Sequence, residues 1–476
     1  MKSLRAVGLV VGFLLALAPA ASAADQLWWS NYAFPRGLSV GGLGSGAVTQ
    51  PWTASTPNGT AVDMTGGRIF IADYDGGKIV SVKPDGSDSQ DILTGIGGSL
   101  SGIAFDPVGN KIFYANGDSI GYASVANPTD KGTFFTPASG YVRSPTVDTV
   151  SNRVYWVDQA GKVFYLGTGG SGSATPITFS GCSLTRTYSV AVDTAANKLY
   201  VSGFDGSTGV VVGANLDGTS CEVLSYSVRD FAYGLALNPE TNRLYITGNS
   251  FDTRIAYITL RLKTTTLLTL TGPAVNQPSY PVITKAPKVQ AATVSAGVVG
   301  SSLSCDITWS PGIVGAFEYR APQGTPTTAW QRNGSTIAGA TGATYQPTKA
   351  GTYSCSQAAT NFAGTTTATS TAAAVKAMAA IVKPAGGKLK FKGGKASIKV
   401  KAGAAGKLVV SVKAGSKVVA TGTATVTKAG TVTVKLKLSA KGKAFVKKGG
   451  KVVVNVTGTP TGGQASKASL GLICPS

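Results

Sequence analysis

The side chains that most often carry out chemistry in proteins are unevenly represented in this sequence of 476 residues. It contains no histidine and five cysteines, with 21 Asp plus Glu against 43 Lys plus Arg. Without imidazole there is no Ser-His-Asp or Cys-His nucleophile pair, no His-ligated zinc site and no histidine acid/base shuttle. Any function must therefore rest on carboxylates, cysteines, lysines and the elements that position them.

Carboxylates and one amide recur along the first half of the chain at a nearly constant spacing. Each follows two apolar residues and precedes a polar turn and an aromatic-rich segment. The recurring residues are Asp63, Asp106, Asp148, Asp193 and Asn238, which are 43, 42, 45 and 45 residues apart. A residue present in every repeat favours a structural role over a catalytic one. Short strands at this spacing, with turns between them, predict the blades of a β-propeller.

The two ends of the repeat region predict how the ring closes. Residues 28–31 match the aromatic strand of the repeat but lack the apolar strand that opens the other copies. Residues 281–284, after the last full repeat, resemble that opening strand. Pairing the two segments would complete a sixth blade and remove the free sheet edges that an open array would expose.

One copy of the aromatic strand carries a more specific motif. The tetrad Tyr155-Trp156-Val157-Asp158 resembles the YWTD repeat of low-density lipoprotein receptor-type six-bladed propellers, and the resemblance covers roughly residues 27 to 285. It implies that the repeated Asp is structural and hydrogen-bonds between blades. It also implies that ligands, which are proteins or peptides in that family, dock on one face. For this chain we expect a protein or glycan ligand there.

An enzymatic propeller is the alternative for the same region. Propellers resembling gluconolactonases or strictosidine synthases place a metal ion or a Glu in the central channel. Here Glu222 and Glu240 fall in a turn or at the start of a strand, and no clustered set of oxygen ligands is evident. We therefore expect no catalytic residue, no cofactor and no metal. A gluconolactonase-like hydrolase remains the alternative, and a purely structural surface protein is a third hypothesis.

Two cysteines of the middle region follow a known pattern. Cys305 and Cys355 are 50 residues apart, with Trp330 between them and Tyr353 two residues before the second. This is the arrangement of an immunoglobulin domain with its inter-sheet disulfide and tyrosine corner. The surrounding segments resemble bacterial immunoglobulin-like modules of exported surface proteins, which implies a spacer or adhesion domain.

The other three cysteines divide into a pair and a single residue. Cys182 and Cys221 lie in consecutive repeats near the ends of outer strands, and we expect them to form a disulfide. Cys474 is then unpaired and is either a free thiol or an intermolecular link. Residues 1–23 favour the oxidising compartment that such bridges need, because two basic residues, an apolar run and an Ala-Ser-Ala ending predict a secretory signal peptide.

The net charge is concentrated at the other end of the chain. Residues 377–476 hold 19 Lys and no Arg, Asp or Glu, and so carry +19 of a formal net charge of +22. Lysines alternate with apolar residues at 388–392, 398–401 and 434–438, which predicts strands with one buried and one solvated face. Further apolar runs complete a predicted β-sandwich, with one or two helical turns over 439–448. This segment resembles lysine-rich modules at the ends of actinobacterial exported proteins.

A surface of a single sign suggests an anionic partner, although lysines that only block edge-to-edge aggregation are the alternative. We expect an anionic cell-wall polymer or lipid headgroups. Nucleic acid is not expected, because the segment has no Arg to read base edges and only two aromatic residues for stacking. The lysines expected to contact the partner are Lys388, Lys390, Lys392, Lys399, Lys401, Lys435, Lys437, Lys447 and Lys448.

The sequence thus predicts an all-β protein with four segments. They are a signal peptide over 1–23, a six-bladed β-propeller over 24–285, an immunoglobulin-like β-sandwich over 286–376 and a lysine-rich β-sandwich over 377–476. The predicted function is that of an exported, non-enzymatic binding or adhesion protein of the cell envelope. The oligomeric state, the ligand of the propeller and the presence of Ca²⁺ in its channel are left open.

Overall fold

The computed structural model describes residues 25–476, except 138–139, 227–231, 249–253, 273–274, 311–319, 321 and 462–464. Nearly every regular element in these residues is a β-strand. The chain divides into two compact units. The first comprises Met1–Lys288, Ser310–Gly324 and Thr360–Thr366, and the second comprises Val289–Trp309, Thr325–Ala359 and Thr367–Ser476.

The first unit is a β-propeller with six sheets, or blades. Blade 1 begins with β1 (Gln26–Asn31), β2 (Gly37–Gly42) and β3 (Gly46–Thr53). Blade 2 is β4 (Pro57–Asp63), β5 (Arg68–Asp73), β6 (Lys78–Val82) and β7 (Gln90–Leu93). Blade 3 is β8 (Leu100–Asp106), β9 (Lys111–Asn116), β10 (Ser119–Ser124) and β11 (Lys131–Phe135).

The remaining strands of the propeller follow the same order. Blade 4 is β12 (Val142–Asp148), β13 (Arg153–Asp158), β14 (Val163–Gly167) and β15 (Thr175–Ile177). Blade 5 is β16 (Arg186–Asp193), β17 (Lys198–Phe204), β18 (Gly209–Asn215) and β19 (Glu222–Tyr226). Blade 6 is β20 (Ala232–Asn238), β21 (Arg243–Gly248), β22 (Ile255–Thr259) and β23 (Thr264–Leu267).

The ring closes as the sequence predicts. Two later strands, β24 (Leu270–Thr271) and β25 (Pro278–Thr284), join blade 1, whose strand order is β24-β3-β2-β1-β25. The innermost strand of blade 1 therefore comes from the end of the repeat region, while its next three strands come from the beginning. The six inner strands β4, β8, β12, β16, β20 and β25 contact one another in a closed ring, which leaves no blade with an uncovered inner edge.

The second strand of each blade is buried on both faces, because every blade packs between two neighbours. This explains why these strands are continuous apolar or aromatic runs without period-two alternation. In β13 the residues Val154, Tyr155, Trp156 and Val157 are all fully buried. Trp156 packs against Phe134 and Phe135 at the end of blade 3, with ring centroids 6.3 and 4.8 Å apart. The tetrad that identified the repeat is thus a packing element between blades.

The repeated carboxylates hold turns within their own blade. Each accepts a backbone hydrogen bond from the turn between the first and second strands: Asp63 from Gly66 at 2.8 Å, Asp106 from Val108 at 2.9 Å, Asp148 from Val150 at 2.9 Å and Asp193 from Ala196 at 2.9 Å. The resemblance implied hydrogen bonds between blades for these residues. The difference arises because a short Asp side chain at a strand end reaches the N–H groups two or three residues ahead.

Asp148 provides a direct test of this role. It is fully buried and also accepts hydrogen bonds from the backbone N–H and the hydroxyl of Ser151. Because Asp148→Ala leaves these donors without their acceptor, we expect the free energy of unfolding to fall by about 2 kcal/mol. Asp217→Ala, in an exposed turn with the same type of hydrogen bond, should shift the chemical unfolding midpoint much less. Equal effects of the two substitutions would contradict this role.

The second unit begins with two sheets joined by a disulfide. One contains β26 (Val289–Val294), β28 (Leu303–Trp309) and β31 (Thr344–Tyr345). The other contains β27 (Gly297–Val298), β29 (Thr327–Arg332), β30 (Ser335–Thr336), β32 (Gly351–Asn361) and β34 (Ala373–Lys376), with β33 (Gly364–Thr369) paired to β32. Cys305 on β28 and Cys355 on β32 form the predicted bridge.

The residues around this bridge have the contacts that the sequence pattern predicts. Trp330 is fully buried and lies opposite Cys355 on the neighbouring strand. The hydroxyl of Tyr353 donates to the carbonyl oxygen of Lys349 at 2.8 Å, which is the geometry of a tyrosine corner. The assignment of the whole segment to the immunoglobulin-like class stays a prediction.

The rest of the second unit is a single seven-stranded sheet. Its strands are β35 (Ala379–Ile381), β36 (Lys395–Ala402), β37 (Gly406–Ala414), β38 (Lys417–Val426), β39 (Gly430–Leu438), β40 (Gly450–Pro460) and β41 (Ser466–Cys474). A 3-10 turn (Ala385–Gly387) and α1 (Ala440–Val446) lie in the connections. The order is β35-β36-β39-β38-β37-β40-β41, and the edge strands β35 and β41 contact each other.

The ladders join all seven strands in one sheet around one core, and β38 and β39 are connected by only two residue pairs. The assignment of this segment as a β-sandwich stays a prediction, whereas one detail differs from the sequence-based expectation. Residues 388–392 were expected to form a strand, but they make only isolated bridges at Lys388 and Lys392. Their alternation is retained, since Leu389 is buried between exposed lysines. No helix among the described residues has the length and apolarity needed to cross a bilayer.

Candidate functional site

Every inner strand of the propeller changes register near its N-terminal end. The irregularities lie between Pro57 and Thr60, Leu100 and Ile103, Arg143 and Thr146, Thr187 and Ser189, and Ala232 and Gly234. The pairing of β25 with β1 is irregular at the corresponding place. A bulge turns one or two side chains away from the ladder. These residues therefore point along the axis of the ring and toward the neighbouring inner strands.

Hydroxyl and amide side chains at this level join one blade to the next. The hydroxyls of Ser144 and Ser189 are 2.8 Å apart, and those of Ser30 and Thr60 are 2.7 Å apart. Asn58 donates to the carbonyl oxygen of Leu100 at 3.1 Å. Similar bonds from other inner strands complete the set. The inter-blade hydrogen bonds expected of the repeated Asp are thus made by neutral residues of the bulges.

The inner strands enclose a narrow cavity on the axis of the ring, whose walls are about as polar as they are apolar. Its volume is about 80 Å³, and all six inner strands contribute to its walls. The lining residues are mainly small or aliphatic, and they include Ala61, Ile103, Val147, Val190 and Leu235. The volume is small compared with the roughly 300–1,000 Å³ of sites that enclose a whole small molecule. The cavity can accept the tip of a ligand but not a complete metabolite.

Four large polar side chains gather at the N-terminal end of this cavity. Arg143, Tyr188, Tyr233 and Tyr280 are each the second or third residue of their inner strand. The rings of Tyr188 and Tyr233 stack with centroids 5.3 Å apart, and Tyr280 meets Tyr233 edge-on at 5.5 Å. We call these four residues the channel mouth. They place one guanidinium and three phenols near the N-terminal ends of the inner strands, and Tyr280 also lines the cavity.

The Arg143 guanidinium is held by aromatic groups. Its Nη1 donates to the hydroxyl of Tyr233, and its charge lies 5.5 and 5.1 Å from the ring centroids of Tyr188 and Tyr233. Among the described residues no ion pair involves Arg143, and its buried Nε has no hydrogen-bond partner. A buried cation with an unused donor is chemically suited to bind an anion.

Tyr280 supplies a second unused donor. It is 5% exposed, and its hydroxyl makes no hydrogen bond of normal geometry among the described residues, although the Arg143 guanidinium lies close enough to act on its pKa as a donor. Burial raises the pKa of Tyr280 above its ordinary value, although the charge of Arg143 acts in the opposite direction. Burial likewise raises the pKa of Tyr233. Both phenols therefore stay protonated at neutral pH and are available as hydrogen-bond donors. Ser144 and Tyr280 also have positive φ angles of 51° and 39°, the kind of backbone strain that concentrates at functional sites.

The C-terminal ends of the inner strands are covered within the same unit. Phe362 packs edge-on against Trp28, with ring centroids 5.9 Å apart, and Ala363 is buried in the cluster that contains Val62 and Met64. The side chain of Asn361 donates to the carbonyl oxygen of Lys285 at 2.9 Å. These residues belong to the segment Thr360–Thr366. The channel mouth lies at the opposite, N-terminal ends of the inner strands.

Charged side chains fasten a second segment at the covered end. Glu240 accepts from Lys285 at 3.2 Å, from Lys288 at 2.8 Å and from Arg320. The Lys285 side chain is fully buried and also donates to Asn238 at 2.9 Å. In this blade the repeated position holds Asn238 in place of the Asp of the other blades. Its amide oxygen accepts a hydrogen bond from Lys285 without adding a negative charge beside that of Glu240.

The two glutamates considered for catalysis have structural partners. Glu240 belongs to the cluster just described, and Glu222 pairs with Lys263 at 2.7 Å on the protein surface. Neither lines the cavity. In the described part of the chain, no three His, Cys, Asp or Glu side chains lie close enough together to hold a metal ion.

The cysteines pair as expected. Cys182 and Cys221 form a disulfide that joins the connection before blade 5 to the outer strand of that blade. Cys474 is a free, buried cysteine at the end of β41.

The lysine-rich sheet presents all of its positive charge to solvent. Each of the 19 lysines of residues 377–476 is exposed, and no ion pair within the described residues involves any of them. Four of the lysines that the sequence analysis expects to contact an anionic partner lie on one face of the adjacent strands β36 and β39. A fifth lysine on this face, Lys395, was not among those expected to do so. The five are Lys395, Lys399, Lys401, Lys435 and Lys437. We call them the lysine face.

The other lysines chosen from the sequence lie elsewhere. Lys388, Lys390 and Lys392 are in the extended segment before β36, and Lys447 and Lys448 follow α1. Within the lysine face, Lys395 and Lys437 are directly opposite each other on paired strands. Like charges in this position destabilise a sheet by a few tenths of a kcal/mol to about 1 kcal/mol.

The channel mouth was not predicted from the sequence. The sequence did contain a signal, because the fifth residue before each repeated Asp or Asn marks the bulge. These residues are Asn58, Ser101, Arg143, Tyr188 and Tyr233. Three consecutive repeats thus carry a large polar side chain at one place, while the rest of the repeat changes little. A position whose residue type differs among otherwise similar repeats is typical of a binding site that is built on a constant scaffold.

Comparisons with known proteins find structural similarity only. No family model and no curated protein matches the sequence. A crystal structure of a nidogen/laminin complex aligns with 54% of this chain and 98% of that chain, at 15% identity and a TM-score of 0.46. Hydrazine synthase of Kuenenia stuttgartiensis aligns with 47% and 70%, at 13% identity and a TM-score of 0.36. A protein described as a TolB from Agrobacterium tumefaciens aligns with 55% and 98%, at 10% identity and a TM-score of 0.38.

Proposed function

We propose that this chain is an exported, non-enzymatic binding protein of the cell envelope. The lysine-rich sheet attaches it to an anionic envelope polymer, with anionic lipid headgroups as the other source of the same charge. The propeller holds a protein or glycan ligand at the channel mouth. The observation that carries the proposal is the segment 377–476, in which 19 exposed lysines occur without a single acidic residue.

A domain does not need charges of a single sign to keep its surface solvated. Soluble domains usually mix both signs, because a single sign adds self-repulsion to the folded state. In the lysine face the repulsion is direct, since Lys395 lies opposite Lys437. A polyanion that runs along β36 and β39 would turn this repulsion into attraction. Each lysine near an anionic surface then contributes about 1 kcal/mol to binding.

The two disulfides support the proposed location of the protein outside the cytoplasm. Bridges such as Cys182–Cys221 and Cys305–Cys355 persist in oxidising, non-cytoplasmic compartments. Envelope polymers and the outer lipid surface are the anionic partners that an exported protein meets there. The signal peptide predicted over residues 1–23 is consistent with this location.

The channel mouth supports a binding role for the propeller. Its groups are a guanidinium and phenols, which recognise ligands by hydrogen bonding and stacking. A hydrolase of the gluconolactonase type would need oxygen ligands for a metal or a carboxylate facing the substrate. Neither Glu222 nor Glu240 faces the cavity. We therefore favour binding over hydrolysis as the role of this site.

The attachment is tested with the full-length mature protein and defined anionic probes. Immobilised glycerol-phosphate polymer and vesicles containing phosphatidylglycerol serve as the two arms, with uncharged dextran and phosphatidylcholine vesicles as controls. We expect retention at low salt and release by about 0.5 M NaCl, where the screening length falls to a few Å. Retention on the polymer alone or the lipid alone identifies the source of the anion. Retention that does not respond to salt, or none on either probe, would refute the proposal.

A further inference from the structure

The channel mouth contains two polar groups whose hydrogen-bonding capacity is unused. One is Nε of Arg143, which is buried and has no acceptor among the described residues. The other is the buried hydroxyl of Tyr280, a residue that is 5% exposed. Unsatisfied buried polar groups are uncommon, because each costs free energy in the folded state. Two of them beside the same cavity indicate a ligand group that both are arranged to meet.

The charge at the site limits the chemistry of that group. Arg143 donates to Tyr233 and stacks on aromatic faces, but none of the described carboxylates pairs with it. The Tyr280 phenol stays protonated and can act as a donor. A guanidinium fork and a phenolic O–H together favour a planar anion that accepts several hydrogen bonds. A carboxylate satisfies this requirement.

The shape of the site limits what carries the carboxylate. The cavity of about 80 Å³ is lined by Ala, Val, Ile, Leu and Pro side chains with a few hydroxyls. It has room for a short side-chain stem but not for a sugar ring or a phosphate chain, because of its small volume. The stacked rings of Tyr188 and Tyr233 form a flat wall beside the entrance. These features fit the tip of an acidic side chain presented by a protein loop.

We infer that the channel mouth is a carboxylate-binding subsite, and that the propeller's partner is a protein with an exposed loop bearing an Asp or Glu. This inference rests on the proposed binding role of the propeller and gives the chemical class of its ligand. The carboxylate accepts from Arg143 and Tyr280, while the stem of its side chain enters the cavity. Arg143 and Tyr280 are thus the specificity-determining residues of the site.

The test uses a library of short cyclic peptides displayed on phage, selected on the full-length protein. Because acidic peptides would also bind lysines, the five residues of the lysine face are changed to glutamine in the selected protein. We expect the enriched loops to share an Asp or Glu. Changing that residue to Asn or Gln in a synthetic loop should lower affinity at least tenfold, since hydrogen bonds to a charged group are the strong ones.

Variants of the protein locate the contact. Arg143→Gln should lower affinity for an acidic loop about tenfold or more, and Tyr280→Phe about fivefold. Arg261→Gln is the matched control, because it removes an exposed arginine from another part of the propeller and should leave binding unchanged. Thermal unfolding gives a separate readout for Tyr280→Phe. Removing a hydroxyl that has no partner should raise the unfolding temperature by about 3 °C while it weakens binding.

Each outcome separates this inference from the broader function. If acidic loops bind Arg143→Gln as well as they bind the parent protein, the carboxylate subsite is wrong. If the enriched loops lack acidic residues but lose affinity for Tyr280→Phe, the propeller binds peptides at its mouth and only the carboxylate inference fails. If no loop is enriched at all, the inference of a protein partner fails, and of the two ligand classes proposed for the propeller only a glycan is left. A Tyr280→Phe variant that unfolds at a lower temperature would show that the hydroxyl has a structural partner.

Discussion

Replacing Glu240 with glutamine is expected to lower the free energy of unfolding of the propeller by about 3–5 kcal/mol. The side chain joins three cations, Lys285, Lys288 and Arg320. Two of these are buried, since the Lys285 side chain is 0% exposed and that of Arg320 is 8% exposed. Glutamine keeps the shape of the residue and one acceptor oxygen, but it removes the carboxylate charge that faces these three cations, two of which are buried.

The pH dependence gives a second measure of the same interaction. Burial alone would raise the pKa of Glu240, but the three cations lower it from 4.5 to about 2. A carboxyl whose pKa is depressed in the folded state contributes stability above its unfolded pKa and loses it as pH falls through the folded one. The stabilisation is therefore complete above about pH 4.5 and is lost between about pH 4.5 and pH 2. Because Glu240 itself is partly exposed, solvent screening reduces the stability that this shift represents, so we expect the pH-dependent part to be smaller than the full effect of the substitution.

Chemical unfolding of the full-length protein as a function of pH checks both statements. Wild type should lose stability steeply below about pH 4.5, and Glu240→Gln should lack that part of the slope. Glu222→Gln is the matched control, because the pair of Glu222 with Lys263 is about half exposed. Exposed pairs contribute about 0–1 kcal/mol, so this substitution should change little. The expected role of Glu240 is excluded if the two glutamine variants unfold alike at neutral pH.

This cluster also shows which parts of the fold the sequence could not predict. The blades were predictable, because a repeat of about 43 residues places the same strand and turn residues in every copy. Closure of the ring was predictable from residues 281–284, since they match the strand that the first copy lacks. In contrast, Arg320 and Phe362 reach the propeller from segments far along the chain. No periodic pattern records a contact of that kind.

The limits of prediction at the two candidate sites have different physical causes. Lysines that alternate with apolar residues must share the solvated face of a strand, so four residues of the lysine face were identified from period two alone. The partner strand decides which of them lie together, and Lys395 was missed because its position opposite Lys437 depends on strand register. Arg143 and Tyr280 were missed because a bulge breaks the alternation that predicts orientation.

Replacing the five residues of the lysine face with glutamine is expected to weaken binding to glycerol-phosphate polymer by roughly a thousandfold. Lys395, Lys399, Lys401, Lys435 and Lys437 project from two paired strands, so one extended polyanion can contact all of them at once. At about 1 kcal/mol for each lysine, their loss removes about 5 kcal/mol of binding free energy. Because each tenfold change in affinity is about 1.4 kcal/mol, the expected decrease is three orders of magnitude or slightly more.

A control has to separate the effect of lost net charge on binding from the effect of the arrangement of these five lysines. A second variant therefore changes five exposed lysines outside the lysine face to glutamine: Lys407, Lys413, Lys428, Lys451 and Lys467. Both variants lose the same formal charge. The second should weaken binding about tenfold, because these residues are scattered over other strands and a turn and contribute only to the long-range field. Equal weakening by the two variants would mean that the sheet acts through its total charge and that the lysine face is not a distinct site.

Stability measured without the polymer completes the argument. If the lysine face is adapted to an anion, its lysines oppose folding when the anion is absent. Removing them should then raise the free energy of unfolding by about 0.5 kcal/mol at low salt, chiefly by relieving the repulsion between Lys395 and Lys437. Added salt should reduce the difference, because exposed charges are screened. A lysine-face variant with weaker polymer binding and a higher free energy of unfolding would show that these lysines serve a partner. If the lysines only keep the sheet soluble, their replacement should affect polymer binding and stability no more than replacement of the five lysines outside the lysine face.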